Sequence, residues 1–233
     1  MRWSTRLLSA AALFGALAAP TFAQAPPTLA AAAAHYDAGD FTTARREFET
    51  LANAGDAQAQ YGLGLMTLEG KGGPRDEAGA LAWFMKSATQ GNIAAVVDIA
   101  IMHDQGEGTP RDPVKAVRWY RLAAENGHAA SQYNLGQHYM DGDGVEKDLA
   151  AATGWWRKAA DQGDEAAQFN MGVAHANGLG VGVDFVEAYK WFQLSAAAGN
   201  KDAPAAITQI KSKISPEQAA LGEARASLWN TAH

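Results

Sequence analysis

The 233-residue chain contains no cysteine. That absence excludes disulfides, thiolate metal sites, a thiol nucleophile and a lipid anchor on a cleavage-site cysteine. Basic charge is also scarce: 19 lysines and arginines face 25 aspartates and glutamates, for a net charge of −6. Nucleic acid is therefore not an expected partner, because phosphate backbones require a basic face. Residues 7–19 form an apolar stretch of 13 residues, too short to span a bilayer comfortably, so no stable membrane anchor is expected. Valine and isoleucine are sparse beside alanine and glycine, a mixture that suits closely packed helices better than sheets. Serines are few, with no nucleophile elbow, and the 6 histidines include no His-x-x-x-His pair. No catalytic set, metal site or cofactor is expected.

What is present begins with a targeting segment. Arg2 and Arg6 form a basic start, the apolar stretch follows, and Thr21-Phe22-Ala23 offers small residues at a cleavage site. Cleavage after Ala23 would leave Gln24 first and place the mature protein in the periplasm or outside the cell. Pro20, Pro26 and Pro27 separate this segment from the rest. Both arginines leave with it, so the remaining body is more acidic than the whole chain.

The body is periodic. Gly55, Gly91, Gly127, Gly163 and Gly199 recur every 36 residues. Gly70, Gly106, Gly142 and Gly178 keep the same step, and so do Gly72, Gly108, Gly144 and Gly180 two places on. Asp76, Asp112, Asp148 and Asp184 follow, then Trp83, Trp119, Trp155 and Trp191, with alanine columns between. Such self-similarity marks a solenoid of stacked supersecondary units. The expected organisation is a targeting segment at 1–23, a linker and half repeat at 24–55, and repeats at 56–91, 92–127, 128–163 and 164–199. Capping helices should occupy 200–233, with Ser215-Pro216-Glu217-Gln218 starting the last as a capping box.

Each unit reads as two helices. In the third, helix A runs over Ala129–Met140 and carries Gln132, Leu135, Gly136 and Tyr139 at helical spacing. Gly142 suits the left-handed turn that ends it. Asp148 caps helix B, which carries Ala152, Trp155, Ala159 and Ala160. Glycine inside helix A, at Gly64, Gly136 and Gly172, costs about 1 kcal/mol relative to alanine. A close approach of helix B is the expected compensation, and the tryptophan column is expected to fill the space between successive pairs. The fold class is all-α, a right-handed α-α superhelix of helix-turn-helix repeats.

The unit resembles the Sel-1-like repeat, a relative of the tetratricopeptide repeat. The resemblance lies in Ala130-Ser131-Gln132-Tyr133-Asn134-Leu135-Gly136, then Gly142-Asp143-Gly144-Val145, Asp148, Ala152 and Trp155-Trp156-Arg157-Lys158-Ala159-Ala160. The second unit departs most, with Val96-Val97-Asp98 where the others have glutamine and an aromatic. The resemblance implies an adaptor or regulator that binds a protein or peptide partner in a bacterial envelope. Two alternatives stay open: an envelope hydrolase acting on peptidoglycan or β-lactams, and a structural scaffold for envelope assembly.

Motifs that imitate chemistry have plainer readings. Gly178-Leu179-Gly180-Val181-Gly182 lacks the strand that precedes a nucleotide-binding glycine loop. Asp141, Asp143, Glu146 and Asp148 lack calcium-loop spacing. His103 and His175 share a column with Thr67 and Tyr139 and should point between helices. The free surface is more informative. Helix A is expected to line a concave side, opposite its packed face, with Gln58, Gly62, Leu65 and Glu69 in the first unit. Asp98, Ile101 and Gln105 follow in the second, Asn134, Gln137 and Asp141 in the third, and Asn170, Val173 and Asn177 in the fourth. A peptide could lay apolar side chains on the Leu65, Ile101 and Val173 column and bond to the amides.

Overall fold

The computed structural model describes residues 26–232. The targeting segment and its cleavage site after Ala23 lie outside the described residues. Twelve helices follow one another, and no strand occurs among the described residues. They are α1 (Leu29–Asp37), α2 (Phe41–Asn53), α3 (Ala57–Glu69), α4 (Glu77–Ala88), α5 (Ile93–Gln105) and α6 (Pro113–Glu125), then α7 (Ala129–Asp141), α8 (Leu149–Asp161), α9 (Glu165–Asn177), α10 (Phe185–Ala197), α11 (Ala203–Lys211) and α12 (Pro216–Ala232). The class is the expected all-α helical-repeat superhelix. None of these helices is long and apolar enough to cross a membrane.

Aspartate starts every helix B. Asp40, Asp76, Asp112, Asp148 and Asp184 each accept a hydrogen bond from a free first-turn amide. Helix A starts on Asp56, Asn92, His128 or Asp164 in the same way. His128 is the surprise, its Nδ1 accepting from the Ser131 amide at 3.2 Å. Each helix A ends on the first loop glycine, Gly142 for instance at φ 76°. The second loop glycine has a separate reason. A Cβ at Gly144 would lie 2.2 Å from the carbonyl oxygen of Pro113, the first residue of the preceding helix B. Gly72, Gly108 and Gly180 meet Phe41, Glu77 and Leu149 in the same way, so this column seats each loop on the repeat before it.

The chain divides into two compact units, one up to Arg111 and one from Asp112. In the first, Ala44, Phe48 and Ala52 of α2 form one core with Ala59, Leu63 and Met66 of α3, closed at the start by Ala32 and Tyr36 of α1. Residues 29–53 thus form a full hairpin. In the second unit, Ala152, Trp156, Ala159 and Ala160 of α8 pack with Ala167 and Met171 of α9 and Trp191 of α10. A further cluster of Ala188, Tyr189, Phe192 and Ile210 seats α11. The capping box of α12 forms as expected: the Ser215 amide donates to Gln218 Oε1 at 2.9 Å and the Gln218 amide to Ser215 Oγ at 3.3 Å.

Helix B approaches the helix A glycine closely, as expected, through an aromatic ring one residue after the tryptophan column. A Cβ at Gly64 would lie 2.5 Å from Phe84, and one at Gly172 would lie 2.5 Å from Phe192. The tryptophan column fills the space between successive pairs only in part, Trp83 packing against the core of α2 and α3. Trp83, Trp119 and Trp155 are half-buried, whereas Phe84, Tyr120, Trp156 and Phe192 are buried. Trp83 and Trp155 each lie beneath a lysine of their own helix, Lys86 at 3.7 Å and Lys158 at 3.8 Å from the ring centre. Trp191 alone of the column is fully buried. There α12 brings Trp229 edge-on at 6.3 Å.

Buried glutamines tie successive hairpins together. Gln60, Gln132 and Gln168 donate Nε2 to the carbonyls of Ala52, Ala124 and Ala160 near the end of the preceding helix B. Two are answered from the other side, Gln90 donating to Gln60 and Gln162 to Gln132. The second repeat has Val96 at this position.

Candidate functional site

All twelve proposed contact residues lie on helix A segments, and none of them is buried. In the first unit Gln58, Glu69 and Gln105 are exposed, while Leu65, Asp98 and Ile101 are half-buried. In the second unit Asp141 and Asn177 are exposed, and Asn134, Gln137, Asn170 and Val173 are half-buried. Gly62, expected on the same track, is buried. It lacks a side chain to project outward, so its backbone counts with the packed interior.

Several of these side chains already have work within the fold. Glu69 accepts from the Tyr36 hydroxyl at 2.9 Å and pairs with Lys71 at 2.8 Å. Burial pushes the Tyr36 phenol above its usual range. Asn177 Nδ2 donates to the Val173 carbonyl of its own helix at 3.0 Å, and Val173 packs against the cluster around Phe192. Asn170 Nδ2 donates to Gln137 Oε1 at 3.0 Å, joining α9 to α7. That bond orients two amides side by side. Each primary amide carries two donor hydrogens and an acceptor oxygen, so the pair retains capacity for the N–H and C=O of an added backbone.

Two participants escaped the sequence reading. Tyr133 and Asp164 are half-buried beside these amides. Burial raises the Tyr133 phenol pKa, the Asp164 carboxylate raises it further, and Asn170 opposes them. Burial likewise raises the Asp164 carboxyl, against the amide of Ala167 that it caps. The available signal was the column Tyr61, Val97, Tyr133, Phe169, which is aromatic in three of four repeats.

The loop glycines and Asp148 have structural work. Gly178 at φ 72° ends α9, a helix and not a strand, and Gly180 meets Leu149 of the preceding repeat. Asp148 caps α8 through the amides of Ala150 and Ala151, each at 2.9 Å. Of the histidines, His103 is buried and His175 half-buried. His175 Nδ1 has no hydrogen-bond partner. Burial holds the His175 pKa below the usual imidazole range, opposed by the Glu187 and Asp184 carboxylates.

Comparison with known proteins agrees with this architecture. The family model described as Sel1 repeat matches residues 57–92, 93–128, 129–164 and 165–200. No curated protein matches the chain. Among solved structures, a Sel1 repeat protein from Oxalobacter formigenes is similar at 27% identity, with a TM-score of 0.76 over 87% of this chain and 82% of that one. A protective antigen of uropathogenic Escherichia coli strains, which displays an SLR fold, is similar at 29% identity with a TM-score of 0.56. That match covers 86% of this chain but 52% of the antigen, so the chain spans about half its length. Four consecutive matches to one repeat model, on hairpins with the same caps and glycine seats, show that the chain belongs to the Sel1 repeat family.

Proposed function

We propose that this chain is an exported adaptor or regulator that holds one protein partner in the cell envelope, using the helix A face of its repeats. Sel1 repeats typically serve as protein-interaction modules. The observation that carries the reading is the division of helix A into two faces. One is spent on the fold through Gln132, Leu135 and Gly136, all buried. The other presents Asn134, Gln137 and Asp141 at the next helical positions, none of them buried. A preformed surface of this kind binds an extended segment with little ordering cost on the receptor side.

The experiment is affinity capture from the native envelope with the full chain, repeated with a Leu65→Glu, Ile101→Glu variant. Both side chains are half-buried on helix A. Val173 is left intact because it packs against the Phe192 cluster. A partner recovered reproducibly with the native chain and lost with the variant, at unchanged helicity, supports the docking face. A partner retained by the variant refutes it. Export is tested separately: the mature protein should begin at Gln24 and fractionate with the envelope.

A further inference from the structure

Charge is segregated between the two helices of each repeat. The four A helices (α3, α5, α7, α9) hold five carboxylates, Glu69, Asp98, Asp104, Asp141 and Glu165, and no lysine or arginine. The four B helices (α4, α6, α8, α10) hold seven lysines and arginines against four carboxylates. In the first unit part of the A-helix charge is answered locally, Glu69 by Lys71 at 2.8 Å and Asp104 by Arg111 at 3.4 Å. In the second unit Asp141 and Glu165 are both exposed, and Asp164 lies half-buried next to Glu165.

From this pattern we propose that the face formed by α7 and α9 takes a cationic peptide segment, with lysine or arginine side chains spaced to meet Asp141 and Glu165. The inference rests on the docking reading above and assigns the chemistry of the occupant. Asp141 stands at the C-terminal end of α7 and Glu165 at the N-terminal end of α9. The two helices are joined by the Asn170–Gln137 bond. A 13-residue helix is about 18 Å long, a span bridged by about five or six extended residues. The negative end of the α7 dipole adds to Asp141. Between the two anionic ends lie the amides of Gln137 and Asn170, suited to a peptide backbone. Acidic or neutral segments would gain nothing from such a field, whereas complementary charge accelerates encounter and fixes register.

The test uses the full chain and a fluorescein-labelled nonapeptide with two lysines six positions apart and leucines between. Companion peptides carry glutamine or glutamate in place of both lysines. Fluorescence anisotropy at ordinary ionic strength should show the lysine peptide binding about ten-fold tighter than the glutamine peptide, and the glutamate peptide weaker than either. An Asp141→Asn, Glu165→Gln variant should bring the lysine peptide to the level of the glutamine peptide. The matched B-helix control, Glu125→Gln with Asp161→Asn, should leave it unchanged. Equal affinity for the lysine and glutamine peptides overturns the inference. So does an equal loss in the B-helix control, which would mean diffuse attraction to an acidic protein, and so does binding of none of the peptides. If the captured partner is still lost in the Leu65→Glu, Ile101→Glu variant, those negative results sink the cationic occupant alone and leave the docking face standing.

Discussion

The indole of Trp156 fills the place where Gly136 would carry a side chain. A Cβ there would lie 2.4 Å from the ring nitrogen and 3.1 Å from the Ala152 carbonyl. Alanine at position 136 would gain about 1 kcal/mol of helix propensity but force the indole or the helix to move, which typically costs about 1–3 kcal/mol. Gly136→Ala should therefore destabilise the protein in chemical denaturation. Gly154 supplies the internal control. It lies exposed in α8 with nothing within 4 Å of an added Cβ, so Gly154→Ala should stabilise by about 1 kcal/mol. Equal effects of the two substitutions would contradict the ring-in-glycine packing.

Neighbouring tryptophans should differ sharply. Trp156 is 3% exposed within the second unit's core, and truncating such a residue costs about 3–5 kcal/mol. Trp155 is half-buried beneath Lys158. Trp155→Ala should cost clearly less than Trp156→Ala when melting curves are compared. A larger loss at Trp155 would restore the invariant column as the core.

That pair also shows where the sequence misleads. The helix pairs of the four repeats, the aspartate caps of helix B and the loop glycines were legible, because each depends on local backbone chemistry that repeats every 36 residues, and the Ser215–Gln218 box was legible from its own local pattern. The core column was not. Its members, Phe84, Tyr120, Trp156 and Phe192, change identity while staying aromatic. The invariant tryptophans beside them drew attention that belonged to chemical class. The contact face was legible as a set of outward positions on helix A. Which of those side chains are already engaged, such as Glu69 with Lys71 and Tyr36, depends on distant segments and could not be read from spacing.

The glutamine ties make a third prediction. Gln132 donates to the Ala124 carbonyl at 3.0 Å and accepts from Gln162 at 2.8 Å while 4% exposed. Gln132→Leu keeps the bulk but removes both bonds and leaves one lone pair of a buried carbonyl unsatisfied. The expected loss is about 1–3 kcal/mol, read as a lower urea midpoint with an unchanged slope. A neutral result would mean that hairpin stacking depends on apolar contact alone.

Stability should also depend on pH through His175. Burial lowers its folded-state pKa below the ordinary 6.5, against the pull of Glu187 and Asp184. Nδ1 meets no acceptor. The unfolded chain therefore binds the proton more readily than the folded one. The neutral imidazole's contribution is fully present above pH 6.5 and is lost as pH falls from there toward the depressed folded value. His175→Gln removes the titration, so the difference in melting temperature between variant and native chain should shift in the variant's favour between neutral and mildly acidic pH. The partly exposed position screens the effect, which makes its direction the readout. A difference that stays flat, or moves against the variant on acidification, would show that the Glu187 and Asp184 carboxylates outweigh burial at this imidazole.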